Sequence, residues 1–293
     1  MVARIMEKRI SDYFKENRTV LSFEIFPPKR DTTLTSIDET LAVLCKLNPD
    51  FISITFGAGG SANNNLTVKL ARKVKDEYGI EPVVHLTCLN YTKSEIDFLL
   101  EELDKSNIHN ILALRGDRNP DIVPKDEFHY ASELIDYVNK KGGFGISAAC
   151  YPEGHQEAKS LEEDIIHLKE KVDKGATHLI SQLFFDNTFF YEFQKKTKDA
   201  GINVPIDAGI MPVINAAQIE RMVSVCGASL PEKFKKIMNR YADNKDALFD
   251  AGMVYALDQI VDLVAHGVDG IHIYTMNNPR VASRICDAIK NLV

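Results

Sequence analysis

Side chains that can move protons or hold charge recur in this sequence at the ends of short apolar runs. Glu24 lies within 20–26, His85 and Thr87 fall at the end of 82–87, Arg115 closes 110–115 with Asp117 just beyond, and Tyr151 follows 144–150. Gln182 belongs to 177–183, and His272 and Tyr274 to 270–274. Glu24 is the most demanding of these. A carboxylate among apolar neighbours is costly if charged and unpaired, so it must find a cation or bind its proton more tightly. Arg115 is the candidate cation, and a tightly held proton would make Glu24 a general acid usable near neutrality.

Other chemistry can be written for the same residues. Glu24, His85 and Asp117 could hold a divalent metal, as in a barrel lyase or aldolase, although no HxH, HExxH or DxD spacing supports it. His85, His178 and His272 taken singly read as interior imidazoles with satisfied hydrogen bonds. Gly57-Ala58-Gly59-Gly60-Ser61-Ala62 fits G-x-G-x-x-A between a strand and a helix, but the next strand ends His85-Leu86-Thr87-Cys88 without the carboxylate that would hold a ribose. These glycines therefore read as a close-approach strand-to-helix loop.

The elements that must position these side chains follow from periodicity. Strands are predicted near 20–26, 51–56, 82–87, 110–115, 144–150, 177–183, 204–210 and 270–274, and amphipathic helices over 35–47, 66–78, 94–105, 127–140 and 161–174. Strand-helix alternation with about eight strands predicts a (β/α)8 TIM barrel, with an open doubly wound sheet as the alternative. A helix at 4–16 precedes the first strand, and helical stretches at 230–241 and 245–266 form an insertion before the last. With no Pro/Gly/Ser-rich linker, 1–293 reads as a single barrel domain.

In a closed barrel the outer face of each strand packs on helices and must be apolar, which sends the alternate residues inward. Leu21, Phe23 and Ile25 then face out and Ser22 and Glu24 in. Ser53, Thr55, His85, Thr87, Ser147, Ala149, Tyr151, His178, Gln182, His272 and Tyr274 are assigned inward likewise. Phe184-Phe185 and Phe189-Phe190-Tyr191 read as helix packing. Most inward polar residues lie toward the C-terminal strand ends, where barrel enzymes keep their active sites.

The 293 residues are 45% hydrophobic and 26% charged, a balance that supports a large core and excludes a disordered or collagen-like chain. A net charge of −7 with both signs interleaved argues against nucleic acid as a partner. No apolar run is long enough to cross a membrane or serve as a signal peptide, so a cytoplasmic protein is expected. Cys45, Cys88, Cys150, Cys226 and Cys286 are too scattered for a disulfide framework or a zinc site.

The motifs at the strand ends occur in a recognisable order. They are Phe23-Glu24-Ile25-Phe26-Pro27-Pro28, Thr55-Phe56-Gly57-Ala58, His85-Leu86-Thr87-Cys88, Ala113-Leu114-Arg115-Gly116-Asp117, Ala149-Cys150-Tyr151-Pro152-Glu153-Gly154-His155, Ser181-Gln182-Leu183-Phe184-Phe185-Asp186 and Gly209-Ile210-Met211-Pro212. The set resembles the methylenetetrahydrofolate reductase family over about residues 20–275. The resemblance implies a flavin-containing barrel that reduces 5,10-methylenetetrahydrofolate to 5-methyltetrahydrofolate in one-carbon and methionine metabolism or a C1 reduction pathway. Hydride would pass from reduced FAD to the substrate methylene. It implies that Glu24 is the acid that helps open the folate ring to an iminium cation, that Asp117 lies near flavin and pterin and favours that cation, and that Gln182 hydrogen-bonds the pterin. It also implies that Thr55, His85, Arg115, Asp117, Ala149, Tyr151, His155, Asp164 and Lys171 line the FAD site.

The sequence departs from the family pattern at two places. An aromatic residue that follows the seventh-strand Pro-x-x-Asn in bacterial members is Ala216 here, and the arginine expected to bind the folate glutamate, Arg280, stands two positions late in Thr275-Met276-Asn277-Asn278-Pro279-Arg280. NADH or NADPH is the expected electron donor. A redox partner subunit that feeds the barrel is the alternative, and a homo-oligomer is left open.

Overall fold

The computed structural model describes residues 8–28, 34–56, 61–118, 123–215 and 222–293, with side chains described in all of these except 34–35 and 61–65. Eight strands run β1 (Val20–Ile25), β2 (Phe51–Ile54), β3 (Glu81–Thr87), β4 (Asn110–Leu114), β5 (Gly145–Cys150), β6 (His178–Ser181), β7 (Ile206–Ile210) and β8 (Gly270–Tyr274). Each pairs in parallel with the next, and β8 returns to β1, closing the barrel in sequence order. Closure rules out the open doubly wound sheet. The glycine motif that suggested it, Gly57 to Gly60, lies outside the described residues.

The alternation in the strands does what it predicts. Phe23, Ile25, Ile52, Ile54, Ala208 and Ile271 are fully buried between the barrel and its helices, in the largest apolar cluster. Around the barrel run α2 (Leu34–Lys46), α3 (Ser61–Tyr78), α4 (Lys93–Lys105), α5 (Ala131–Lys141), α6 (Leu161–Asp173), α7 (Asn187–Asp199) and α10 (Pro279–Ile289). Local chemistry fixes where they start. At α4 the Thr92 hydroxyl accepts from the Glu95 N–H while the Glu95 carboxylate accepts from the Thr92 N–H at 2.7 Å, a reciprocal cap. At α5 the Glu133 carboxylate accepts from the backbone N–H groups of His129 (2.6 Å) and Tyr130 (3.2 Å), so the helix starts at Ala131 and not at the predicted 127. Helix α3 begins five residues before the predicted 66, because its polar first turn carries no apolar period.

The predicted N-terminal helix at 4–16 is corrected. Residues 4–7 lie outside the described residues, and of 8–16 only α1, Ile10–Tyr13, is helical. The Ile10 N–H donates to Asn110 Oδ1 at 3.2 Å and the Arg9 guanidinium to the His109 carbonyl at 2.9 Å, which fastens the segment across the N-terminal ends of the strands. Ile10 then packs with Tyr13 and Phe14 against the inward Val20, Phe51, Val83, Leu112 and Ile180, and this apolar layer forms the barrel floor.

The insertion between β7 and β8 holds α8 (Glu232–Tyr241) and α9 (Lys245–Ala265). It packs on the loops beyond β6 and β7 through a second apolar cluster, with the Phe185 and Phe234 rings stacked at 5.0 Å. Gly252 allows this approach, since a Cβ there would lie 1.7 Å from the Val213 carbonyl oxygen. Among the described residues no helix is long and apolar enough to cross a membrane.

Candidate active site

The C-terminal mouth of the barrel has two charged regions. The first is a cleft of about 690 Å³ at the ends of β4 and β5 beside α6, lined in part by Arg115, Ala149, Tyr151, His155, Asp164 and Lys171. Ser160 caps α6, and Asp164 and Lys171 are two turns apart on it, so both face the cleft. The Lys171 ammonium donates to the Ala149 carbonyl at 3.0 Å and lies 5.8 Å from the centre of the Tyr151 ring. Burial holds its amine below the usual lysine range, with Asp164 opposing. The Asp164 carboxyl is pushed up by burial, against the attraction of Lys171.

His155 completes this wall. Its backbone N–H donates to Asp164 at 3.2 Å, its ring meets Tyr151 edge-on at 4.8 Å, and its Nδ1 accepts the Glu157 N–H at 3.1 Å. The Nδ1 contact leaves the proton on Nε2 of the neutral ring, the form that burial favours. Arg115 makes a two-pronged pair with Glu157, at 2.5 and 2.9 Å. The alternative that Glu24 pairs with Arg115 is thereby set aside, because the loop after β5 supplies the carboxylate instead.

The second region centres on Glu24, whose side chain is 20% exposed. Its Oε2 lies 3.6 Å from His85 Nε2 and 3.9 Å from His272 Nε2. Burial keeps the His85 imidazole below its usual pKa, with Glu24 opposing, and its buried Nε2 has no hydrogen-bond partner. The strand carrying Glu24 is held from β8 and its loop. The Thr275 hydroxyl donates to the Glu24 carbonyl at 2.7 Å, and the Asn277 side chain clasps Phe26, accepting its N–H at 3.0 Å and donating to its carbonyl at 2.8 Å. Met276 and Asn277 take left-handed backbone conformations to make this clasp.

The remaining expected residues are spread around the mouth. Thr55 follows β2 and is half-buried, and its N–H donates to the Ile25 carbonyl at 3.0 Å. Asp117 is exposed on the rim, near enough to Arg115 to act on its charge. Gln182 uses Oε1 to accept the Leu183 N–H at 2.8 Å, which leaves its amide donors unused by that contact. Arg280 is exposed in the first turn of α10 and does not line the cleft; its guanidinium lies over the Phe249 ring of α9 at 4.3 Å. Ala216 lies outside the described residues. Among the described residues no three His, Cys, Asp or Glu side chains are grouped to hold a metal, so Glu24, His85 and Asp117 do not form the triad a metal lyase would need.

The sequence reading missed Asp207. It points inward from β7 and is fully buried, 3.3 Å from His178 Nε2 and 3.3 Å from the Ser22 hydroxyl. Alternation could have found it, since Ile206, Ala208 and Ile210 face the outer core.

A parallel barrel that gathers a carboxylate between imidazoles and a cleft of mixed charge at its C-terminal mouth is of the ligand-binding (β/α)8 class. Within that class the chain belongs to the methylenetetrahydrofolate reductase family, whose model matches residues 9–290. It is 34% identical over 284 residues to methylenetetrahydrofolate reductase (NADH) 1 of Arabidopsis thaliana, covering 92% of this chain and 48% of the plant protein. It is also 34% identical over 269 residues to 5,10-methylenetetrahydrofolate reductase of Escherichia coli (strain K12), covering 92% of this chain and 90% of that one. The chain thus spans about half the length of its plant relatives and most of the bacterial one. A solved structure of a Clostridium thermocellum protein that binds two copies of 5-methyl-5,6,7,8-tetrahydrofolic acid shares the fold, with a TM-score of 0.65 at 13% identity over 96% of this chain and 99% of that one.

Proposed function

We propose that this chain reduces 5,10-methylenetetrahydrofolate to 5-methyltetrahydrofolate, with FAD as its resident cofactor and NADH as electron donor. The observation that carries the reading is the pairing of a cleft that holds Arg115, Lys171 and the Tyr151 ring with Glu24 at one barrel mouth, in a chain of this family. The donor follows the plant relatives, which are named for NADH.

The donor set fits FAD. Arg115 and Lys171 supply cations for a pyrophosphate, Asp164 an acceptor for a ribose hydroxyl, and Tyr151 a ring for a flat heterocycle. His85 Nε2, buried and without a hydrogen-bond partner, is a polar atom that a bound ligand can satisfy. When bound, FAD supplies the hydride chemistry that no side chain of the protein can.

The protein's own residues handle protons and charge. Glu24, held by Thr275 and by its two imidazole neighbours, gives a proton to the folate nitrogen that leaves when the five-membered ring opens, and its carboxylate then faces the iminium cation. Asp117 adds negative charge on the rim beside Arg115. Gln182, its Oε1 fixed by Leu183, turns its amide donors to the pterin.

The visible spectrum of the purified protein tests this. A flavin spectrum is expected, bleached by NADH without oxygen and restored by methylenetetrahydrofolate. A colourless protein that FAD cannot reconstitute would overturn the proposal.

A further inference from the structure

Beneath Glu24 a line of polar side chains runs down the barrel axis, and Ser22, Ser53, His178, Asp207 and His272 in it are all fully buried. We infer that Asp207, acting through Ser22, is a positioning residue that fixes the tautomer of His272 and keeps a proton on the Glu24–His272 pair. The inference rests on Glu24 being the acid of the proposed reaction.

With Asp207 as a carboxylate, the hydrogen bonds around His272 agree on one placement of protons. A carboxylate only accepts, so the Ser22 hydroxyl gives its single proton to Asp207 Oδ2 at 3.3 Å. The Ser22 oxygen is then an acceptor, and the contact of 2.7 Å to His272 Nδ1 requires the proton to sit on that nitrogen. His272 Nε2 is left facing Ser53 Oγ at 3.4 Å and Glu24 Oε2 at 3.9 Å. On the far side Ser147 Oγ lies 2.8 Å from His178 Nδ1, and His178 Nε2 lies 3.3 Å from Asp207 Oδ2.

The chain reserves room for this carboxylate. Gly270 lies opposite Asp207 in the β7–β8 register, and a Cβ there would fall 1.8 Å from Asp207 Oδ1. The Phe14 ring of the floor stacks on His178 at 4.9 Å and seals the pair from below. Asp207 Oδ1 has no hydrogen-bond partner, so its negative charge is only partly answered. In so dry a place a carboxylate acts strongly on the groups that Ser22 links to it.

The other ionisable groups around the line do not replace this effect. His85 faces Glu24 from β3, and burial disfavours its charged form. Tyr274, on β8, has a phenol pushed far above its usual range by burial and by Glu24, so it stays neutral. Asp269, at the start of β8, has its carboxyl raised by burial and by Asp207.

The test uses the reduced holoenzyme, mixed anaerobically with methylenetetrahydrofolate over a range of pH. Removing the negative charge makes the Glu24–His272 proton easier to lose. In Asp207→Asn the limb on which the folate step slows with rising pH should therefore move to lower pH by about one unit, roughly a tenfold slower rate on that limb. The flavin spectrum and its reduction by NADH should be unchanged. A limb that stays in place, with the folate step still abolished in Glu24→Gln, would overturn the inference alone. A parental folate rate in Glu24→Gln would instead remove the acid assignment beneath it. If Asp207→Asn fails to fold, 15N-histidine NMR of the parental holoenzyme decides, with His272 identified by the signal lost in His272→Gln. An Nδ1–H tautomer supports the inference and an Nε2–H tautomer overturns it.

Discussion

The cleft beside α6 and the line of residues beneath Glu24 use the same kinds of side chain under opposite conditions. In the cleft Arg115 meets Glu157 at the edge of solvent, and the more deeply set Lys171 has the opposite charge of Asp164 near it. On the barrel axis Asp207 meets the Ser22 hydroxyl and the His178 imidazole, in full burial. Charges paired at the solvent edge can exchange a protein partner for a ligand at small cost, whereas a sealed charge keeps its partners and biases their protons. The first arrangement suits holding an anionic cofactor, and the second suits setting an acid.

Four substitutions bear on this contrast, beside the Asp207→Asn test. Glu24→Gln should have the largest effect. Loss of a general acid slows folate reduction by about 10²–10⁴-fold, while flavin binding and reduction by NADH persist, as rapid-mixing spectroscopy of the two half-reactions would show. Lys171→Met should weaken FAD binding by about 10–100-fold, the worth of a hydrogen bond to a charged group, measured by quenching of flavin fluorescence. If it left affinity unchanged, the cleft would not be the pyrophosphate site.

Gly270→Ala should cost about 1–3 kcal/mol of stability by forcing the Asp207 carboxyl aside, seen as a lower melting temperature with the cleft intact. The smallest effect belongs to Glu157→Gln. Freeing Arg115 should tighten FAD binding about fivefold at most, and added salt should erase the gain. A large, salt-insensitive change would mean that the cleft is not the solvent-edge region described above.

Much of this was legible in the sequence because a barrel strand has two faces with different duties. Apolar alternation at Leu21, Phe23 and Ile25 placed Glu24 inside, and the same rule placed His85 and His272 within reach of it. Asp207 was as readable, but it stands lower in its strand, away from the rim where reactive residues are sought. What sequence could not supply is partnership across loops. Arg115 and Glu157 are 42 positions apart, and no periodicity joins them. Arg280 illustrates the same limit, since its packing on Phe249 depends on the path of the inserted helices. The helix expected at 4–16 is shorter over its described part, 8–16, for another reason. Asn110 and His109 bind this stretch across the strand ends, and such tertiary contacts override helix propensity.

The clasp between Asn277 and Phe26, with Thr275 on the Glu24 carbonyl, joins residues 251 positions apart. During synthesis on the ribosome the strand bearing Glu24 emerges early and must wait for its last neighbour. Until β8 leaves the exit tunnel the sheet has two raw margins and Glu24 has no fixed bearing. Catalytic competence should therefore arrive abruptly, once β8 has joined the sheet, and a nascent polypeptide halted before Thr275 should be a client for chaperones.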